Sequence, residues 1–331
     1  MTAKRRSNSP VTQSDIAAKA GCSQNAVALA LRGSTRISTA KRREILSIAR
    51  RMGYLPSMAA RGLRCGRSGL VGLFGQVDGI RVALVNQLLA LLHDTDFKPI
   101  LGTEFVRHDP WYKSEWIQTL QSLQVEALVC FAWANQPKVP AWSKRTPIVF
   151  CGFSPNPAVR SDMVAMDRAG AVQQAIDHFI EQGHKKIALL RHYQAAHITG
   201  FYEQAMLNRG LPPRPFAFSD TEPRSAIIER FLDSCTKPGG ATAVLAITTL
   251  ILACELHAAA VRRGMKIPGD LAIIGYDRAP WLDPVQLPIS TLDQPIDDLA
   301  LHTVAFVRHR LANPDSPRQF INLPFKLTIR T

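Results

Sequence analysis

Along roughly the first fifty residues, apolar positions recur at helical spacing in three short bursts, each opened by a hydroxyl residue and closed at a glycine. Thr12-Gln13-Ser14-Asp15 has the form of a capping box; Ile16, Ala17 and Ala20 then share one face until Gly21, a residue suited to a left-handed turn. Ser23 opens a second helix to about Leu31, with Val27 and Leu31 four apart and pointing inward, and Arg32-Gly33 closes it. A third helix is predicted from Ser38 to Met52, burying Ile45, Ile48 or Ala49, and Met52 before Gly53 stops it. Two short helices joined by a turn of three or four residues containing glycine have the grammar of a helix-turn-helix unit. From Ser68 the pattern changes to apolar runs alternating with helical stretches, which predicts βαβ units and a mostly parallel sheet. Strands are predicted over Leu70–Phe74, Ala127–Phe131, Ile148–Cys151, Lys186–Leu190, Ala243–Ile247 and Leu271–Gly275. Helices are predicted over Ala83–Leu92, Glu115–Leu123, Gly170–Glu181, His197–Arg209, Thr249–Arg263 and Pro295–Leu311.

Charge separates the same two regions. The 331-residue chain has a formal charge of +14, and residues 1–67 hold fourteen Lys and Arg against Asp15 and Glu44 alone, a net of +12. The rest is nearly neutral at about +2. A charge block confined to one end reads as a polyanion-binding module on a neutral body, and the periodicity beneath it argues against a mere solubilising tail. In a helix-turn-helix unit the second helix enters the major groove by its N-terminal end. Gln24, Asn25 and Leu29 then face base edges, where Asn or Gln can pair bidentately with adenine and an apolar side chain can meet the thymine methyl. Thr12 and Ser23 would lie against phosphates, with Arg32, Arg36 and Ser38 as further backbone candidates.

Other function classes find little support. The sequence has no GxSxG, no glycine-rich phosphate loop, no HExxH and no paired Cys/His zinc spacing, so neither an enzyme nor a metal or other cofactor is expected. Cys22, Cys65, Cys130, Cys151, Cys235 and Cys254 are scattered without a CxxC pair, the pattern of reduced thiols. No apolar stretch follows the basic start MTAKRRSNSP, and the most membrane-like segment, Ala241–Val261, is interrupted by Thr248, Thr249, Glu255 and His257. A soluble, cytoplasmic chain with no membrane partner is expected. An exported solute-binding protein would have no use for the basic unit, and an architectural DNA-binding protein would leave the large body unexplained.

The run VTQSDIAAKAGCSQNAVALALRG, followed by RISTAKRREILSIARRMGYLPSMAARGL, resembles the headpiece of the lactose-repressor/galactose-repressor (LacI/GalR) family without a gap from about Val11 to Leu63. The resemblance continues more weakly through Val164–Asp167, the run QGHKKI from Gln182 to Ile187, Gly264–Pro268 and the run IIGYD from Ile273 to Asp277. It implies a sequence-specific transcription regulator, mainly of repressing habit, that binds a palindromic operator in double-stranded DNA as a homodimer. It implies a basic arm over 1–10, a headpiece over 11–55 and a hinge helix over 56–67, in which Leu63, beside Ala60, wedges into the minor groove. The body, 68–331, is implied to have a two-lobed periplasmic-binding-protein-like fold with parallel sheets. Its first lobe would comprise 68–153 and 295–315, and its second 154–294 and 316–331. A small-molecule effector, whose identity the residues leave open, is implied in the interlobe cleft.

Candidate effector contacts are Gln76, Asp167, His197, Thr249 and Asp277, with Trp133 and Trp281 as aromatic platforms. Here the family pattern breaks. His197 stands where sugar-binding relatives usually carry Arg, and Arg168 replaces the usual Asn after Asp167. Leu29 likewise stands where a polar or cationic residue is common, so the operator is this protein's own.

Overall fold

The computed structural model describes residues 11–55, 67–77, 79–103, 111–131, 139–219, 221–247, 250–278 and 287–330. The chain forms two compact units, Met1–Ser68 and Gly69–Thr331.

The first unit contains α1 (Gln13–Ala20), α2 (Gln24–Leu31) and α3 (Thr39–Arg51). Each starts where a hydroxyl can accept an orphan N–H: Thr12 from Asp15, Ser23 from Ala26 and Ser38 from Lys41. At Thr12 the box is reciprocal, because the Asp15 carboxylate accepts the Thr12 backbone N–H at 2.8 Å and its hydroxyl at 2.7 Å. These bonds hold the exposed Asp15 carboxyl below its usual pKa, the backbone bond first and the hydroxyl second. Gly21 ends α1 at φ 58°, a left-handed conformation that costs glycine nothing. Ile16, Val27 and Ile45 are fully buried at the centre of the three helices, with Ala17, Ala20, Ala30 and Ala49 allowing close approach. Lys41 Nζ reaches back to the Ala20 carbonyl at 2.8 Å, tying α3 to the end of α1.

The second unit holds two six-stranded sheets. Its first sheet contains β1 (Leu70–Gly75), β2 (Lys98–Gly102), β3 (Ala127–Phe131), β4 (Ile148–Phe153), β5 (Asp162–Met166) and β11 (Phe320–Leu323). Their spatial order is β11-β5-β4-β3-β1-β2, parallel throughout. The second sheet contains β6 (Ile187–His192), β7 (Pro215–Phe218), β8 (Ala243–Ile247), β9 (Ala272–Tyr276), β10 (Ser290–Asp293) and β12 (Lys326–Thr328). Its order is β12-β10-β9-β8-β6-β7, with only β12 antiparallel. The helices α4 (Arg81–His93), α5 (Glu115–Ser122), α6 (Arg168–Glu181), α7 (Ala196–Leu207), α8 (Arg224–Thr236), α9 (Leu250–Arg262) and α10 (Ile296–Ala312) connect them. Helices cover both faces of a parallel sheet, so its central strands are apolar on both sides; every residue of β1, β3 and β8 is buried. Tyr202 of α7, also fully buried, donates its hydroxyl to the Ile187 carbonyl and accepts the Arg214 N–H, which satisfies its one polar atom.

The sheets displace two lobe boundaries expected from the sequence. β5 lies beside β4 in the first sheet, with Phe150 opposite Met163, so 154–166 belongs to the first lobe and not the second. β11 pairs with β5, with Phe320 opposite Met163, so the chain returns to the second lobe only at β12, not at 316. The physical tie is Asp162, 2% exposed, whose carboxylate receives Arg310 of α10 and both the backbone and side chain of Gln319. That bond set holds the third segment against β5. The membrane-like stretch divides into β8 and α9, and among the described residues no helix is long and apolar enough to cross a membrane. Cys130 and Cys151 are fully buried and burial pushes both thiols far up, so they act as small hydrophobes.

Candidate nucleic-acid interface and effector cleft

On the first unit, α2 turns Val27, Ala28 and Ala30 inward and leaves Gln24 and Asn25 exposed in its first turn. Leu29, one turn beyond Asn25, is half-buried. Arg32, Arg36 and Ser38 are exposed. The cap hydroxyls differ in what they still offer. Thr12 already donates its proton to Asp15, whereas Ser23 and Ser38 accept the cap bonds from Ala26 and Lys41 and keep a proton for an outside acceptor. Arg42 donates to the Gly33 carbonyl at 3.2 Å, which pins the turn after α2 to α3. Ala60 and Leu63, the hinge candidates, lie outside the described residues.

In the second unit, polar side chains gather where the strand ends of the two sheets meet. Gln76, half-buried, follows β1. Asp167 is the N-cap of α6: its carboxylate accepts the Gly170 N–H at 3.1 Å, and a Cβ on residue 170 would fall 2.3 Å from the other carboxylate oxygen. Asp167 is thus built into the helix start. Asp277 follows β9 at φ 76°, a left-handed conformation that Asp tolerates better than most residues. Its N–H is held by the Leu292 carbonyl at 3.0 Å and its carboxyl by Gln294. Burial pushes its carboxyl up to about 7, against the Gln294 hydrogen bond and the charges of Arg81 and Arg168, with Asp293 adding to the rise. His197 keeps a solvent-open face but is set among protein atoms. Desolvation first, then the charges of Arg168 and Arg191, push its pKa down to about 4 and leave the ring neutral. Trp133, Thr249 and Trp281 lie outside the described residues.

The cations here are the part the sequence reading missed. Arg168, first residue of α6, donates to the Gly152 carbonyl at 2.7 Å and the Ser154 hydroxyl at 3.4 Å, and hydrogen-bonds Tyr276. It thereby links the end of β4 to the end of β9. Arg191 sits near the end of β6 and Arg81 opens α4. The available signal was positional: basic residues in strand-to-helix turns at the carboxyl ends of a parallel sheet lie where such folds bind ligands.

The group charges give a pH prediction. Because the folded-state pKa of Asp277 is raised, its contribution to stability is full below the unfolded value of 3.8 and is lost as pH rises through about 7. Asp277→Asn keeps the Gln294 acceptor without the charge, so its Tm relative to the parent should climb between about pH 4 and about pH 7 and level off above that. His197 shifts in the opposite sense, but it is common to both chains and drops out of their difference. Parallel Tm profiles would show that Asp277 is not held protonated.

A capped helix-turn-helix unit of high positive charge, followed by two parallel-sheet lobes around a polar cleft, defines a DNA-binding regulator with a periplasmic-binding-protein-like body. Residues 176–331 match the periplasmic binding protein-like domain family. The chain is 25% identical over 342 residues to the HTH-type transcriptional regulator DegA of Bacillus subtilis, covering 96% of each. Its fold superposes on the lac repressor dimer bound to operator and the anti-inducer ONPF with a TM-score of 0.81, at 17% identity, covering 97% of this chain and 98% of that one. It also superposes on the regulator CelR in complex with cellobiose, with a TM-score of 0.66, at 20% identity over 97% of this chain and 99% of that one. Along nearly its whole length the chain is similar, in sequence and in fold, to LacI-family transcriptional regulators.

Proposed function

We propose that the chain represses transcription as a homodimer on an inverted-repeat operator in double-stranded DNA, and that a small molecule in the body cleft controls its affinity. Gln24, Asn25 and Leu29 read base edges, while Ser23, Arg32, Arg36, Ser38 and the backbone around Thr12 hold phosphates. The observation that carries this reading is α2, whose inner face is packed and whose first turn is exposed, within a region of net charge +12. Phosphate contacts set register, and the exposed amides supply what phosphates cannot, discrimination between bases. The dimer follows from a two-fold reading of two half-sites, as in the lac repressor dimer on its operator. Ala60 and Leu63 are assigned to the minor groove, Leu63 as the wedge.

The cleft works by linkage. A ligand that favours one lobe arrangement over another shifts the population of DNA-competent dimers by its differential affinity and no more. The cellobiose complex of CelR is a relative with a ligand bound, and the polar cluster of Arg168, His197, Tyr276 and Asp277 gives this cleft its own chemistry.

Selection of bound sites from a random duplex library, with the full-length protein at stated salt, should enrich an inverted repeat. Asn25→Ala should then relax preference at one position of each half-site by about 1–3 kcal/mol. If preference is unchanged at every position, Asn25 is not a reading residue; if no repeat is enriched with or without metabolite pools, operator recognition fails as a whole.

A further inference from the structure

We propose that the effector of this cleft is a small organic anion, a metabolite bearing a carboxylate or a phosphate, held by Arg168 and Arg191. The inference rests on reading the cleft as the effector site and names the chemical class of its ligand.

Arg168 and Arg191 are both half-buried, and both lie close enough to His197 for their charges to act on it. Every hydrogen-bond partner of the Arg168 guanidinium is neutral: the Gly152 carbonyl, the Ser154 hydroxyl and Tyr276. Arg191 donates only to the carbonyls of His192 at 3.2 Å and Tyr193 at 3.3 Å, and its Nε is buried without a hydrogen-bond partner among the described residues. Neither guanidinium has a carboxylate within ion-pair distance among the described residues. The contrast inside the same unit is plain, because Arg209, Arg230, Arg263 and Arg310 each pair with an acid.

Asp277 does not neutralise the pair. Its carboxyl is taken by Gln294, and it shares the cleft with Arg81 as well as Arg168. Partly desolvated guanidiniums without counter-charges are unfavourable, and a ligand carrying the missing charge relieves that in the bound state. Arg offers a fork that matches carboxylate and phosphate oxygens. The neutral ring of His197 and the hydroxyl of Tyr276 suit hydroxyl groups on the remainder of the ligand.

The test titrates the full-length protein with pairs matched except for charge: galacturonate against galactose, and ribose 5-phosphate against ribose, with inorganic phosphate alone as a further arm. Calorimetry and the shift in Tm are read together. At least one charged member should bind about tenfold or more tighter than its neutral partner. Arg168→Gln, which keeps a donor for the Gly152 carbonyl, should weaken that binding by about tenfold or more, and Arg191→Gln should do the same. Arg168→Lys, which keeps the charge without the fork, should fall between, and circular dichroism checks that each variant is folded. Which charged member binds tells carboxylate from phosphate.

Equal binding of a neutral partner, or anion binding untouched in folded Arg168→Gln and Arg191→Gln, overturns the proposal. So does the failure of every anion to bind. Neutral sugars binding while anions fail would leave the effector cleft standing and remove only its anionic class. Failure of both classes would count against the cleft as an effector site altogether.

Discussion

Ile45→Ala is expected to abolish operator binding while leaving the body folded. Ile45 is fully buried at the centre of α1, α2 and α3, and the core around it is small: Ile16, Val27 and Ile48 are its other large buried members, the remaining buried ones are alanines, and Leu31, Met52 and Tyr54 pack against it only partly buried. Truncating a buried Ile to Ala costs about 2–5 kcal/mol, the lost transfer energy plus the cavity left behind. A unit of this size buries a small fraction of its surface and has little stability in reserve, so a loss of that order unfolds most of its population. The body has separate cores between and around its two sheets and does not use Ile45. Hydrogen exchange on the full-length variant should show α1–α3 unprotected and the central strands unchanged, with operator affinity lost. Retained protection in α1–α3 would mean that another part of the chain carries the unit's stability.

Asp162→Asn should lower the melting temperature of the body more than any change to a surface ion pair. The Asp162 carboxylate is 2% exposed and receives Arg310 through both oxygens, at 2.7 and 2.8 Å, together with the Gln319 N–H at 2.8 Å and its amide at 3.1 Å. Replacing one partner leaves Arg310 uncompensated in a pocket where its side chain is 14% exposed, and turns an acceptor into an amide whose donor faces a cation. Breaking such a pair costs about 3–5 kcal/mol, and each kcal/mol lowers Tm by about 2–4 °C in a domain of this size. The exposed pairs Arg209–Asp177 and Arg230–Glu222, though short at 2.6 Å, should each be worth at most about 1 kcal/mol. Scanning calorimetry of Asp162→Asn beside Asp177→Asn separates the two cases. Equal small effects would show that the remaining bonds of Arg310, to the carbonyls of Pro314, Ser316 and Pro317, hold the segment unaided.

The parts of this protein that were legible in its residues are those whose energetics are local or whose burial is two-sided. The three headpiece helices start at Thr12, Ser23 and Ser38 and turn at Gly21, Gly33 and Gly53, because caps and left-handed glycines act within one helical turn. The six strands readable from apolar runs, β1, β3, β4, β6, β8 and β9, are all interior to their sheets. All four edge strands escaped: β2, β7, β11 and β12 carry exposed positions and polar or proline residues because one side of each lacks a strand neighbour. β5 and β10 escaped as well: β5 opens on the polar Asp162, which leaves an apolar run of only four residues, and three of the four residues of β10, Ser290, Thr291 and Asp293, are polar. Which lobe each returning segment joins depended on contacts such as Asp162 with Arg310, 148 residues apart. The cleft shows the same division. Asp277 and His197 are placed there by the family resemblance, but the convergence of Arg81, Arg168 and Arg191 is a product of how the strand ends meet. A charge's partners are set by distance in space, and no local pattern along the chain encodes that distance.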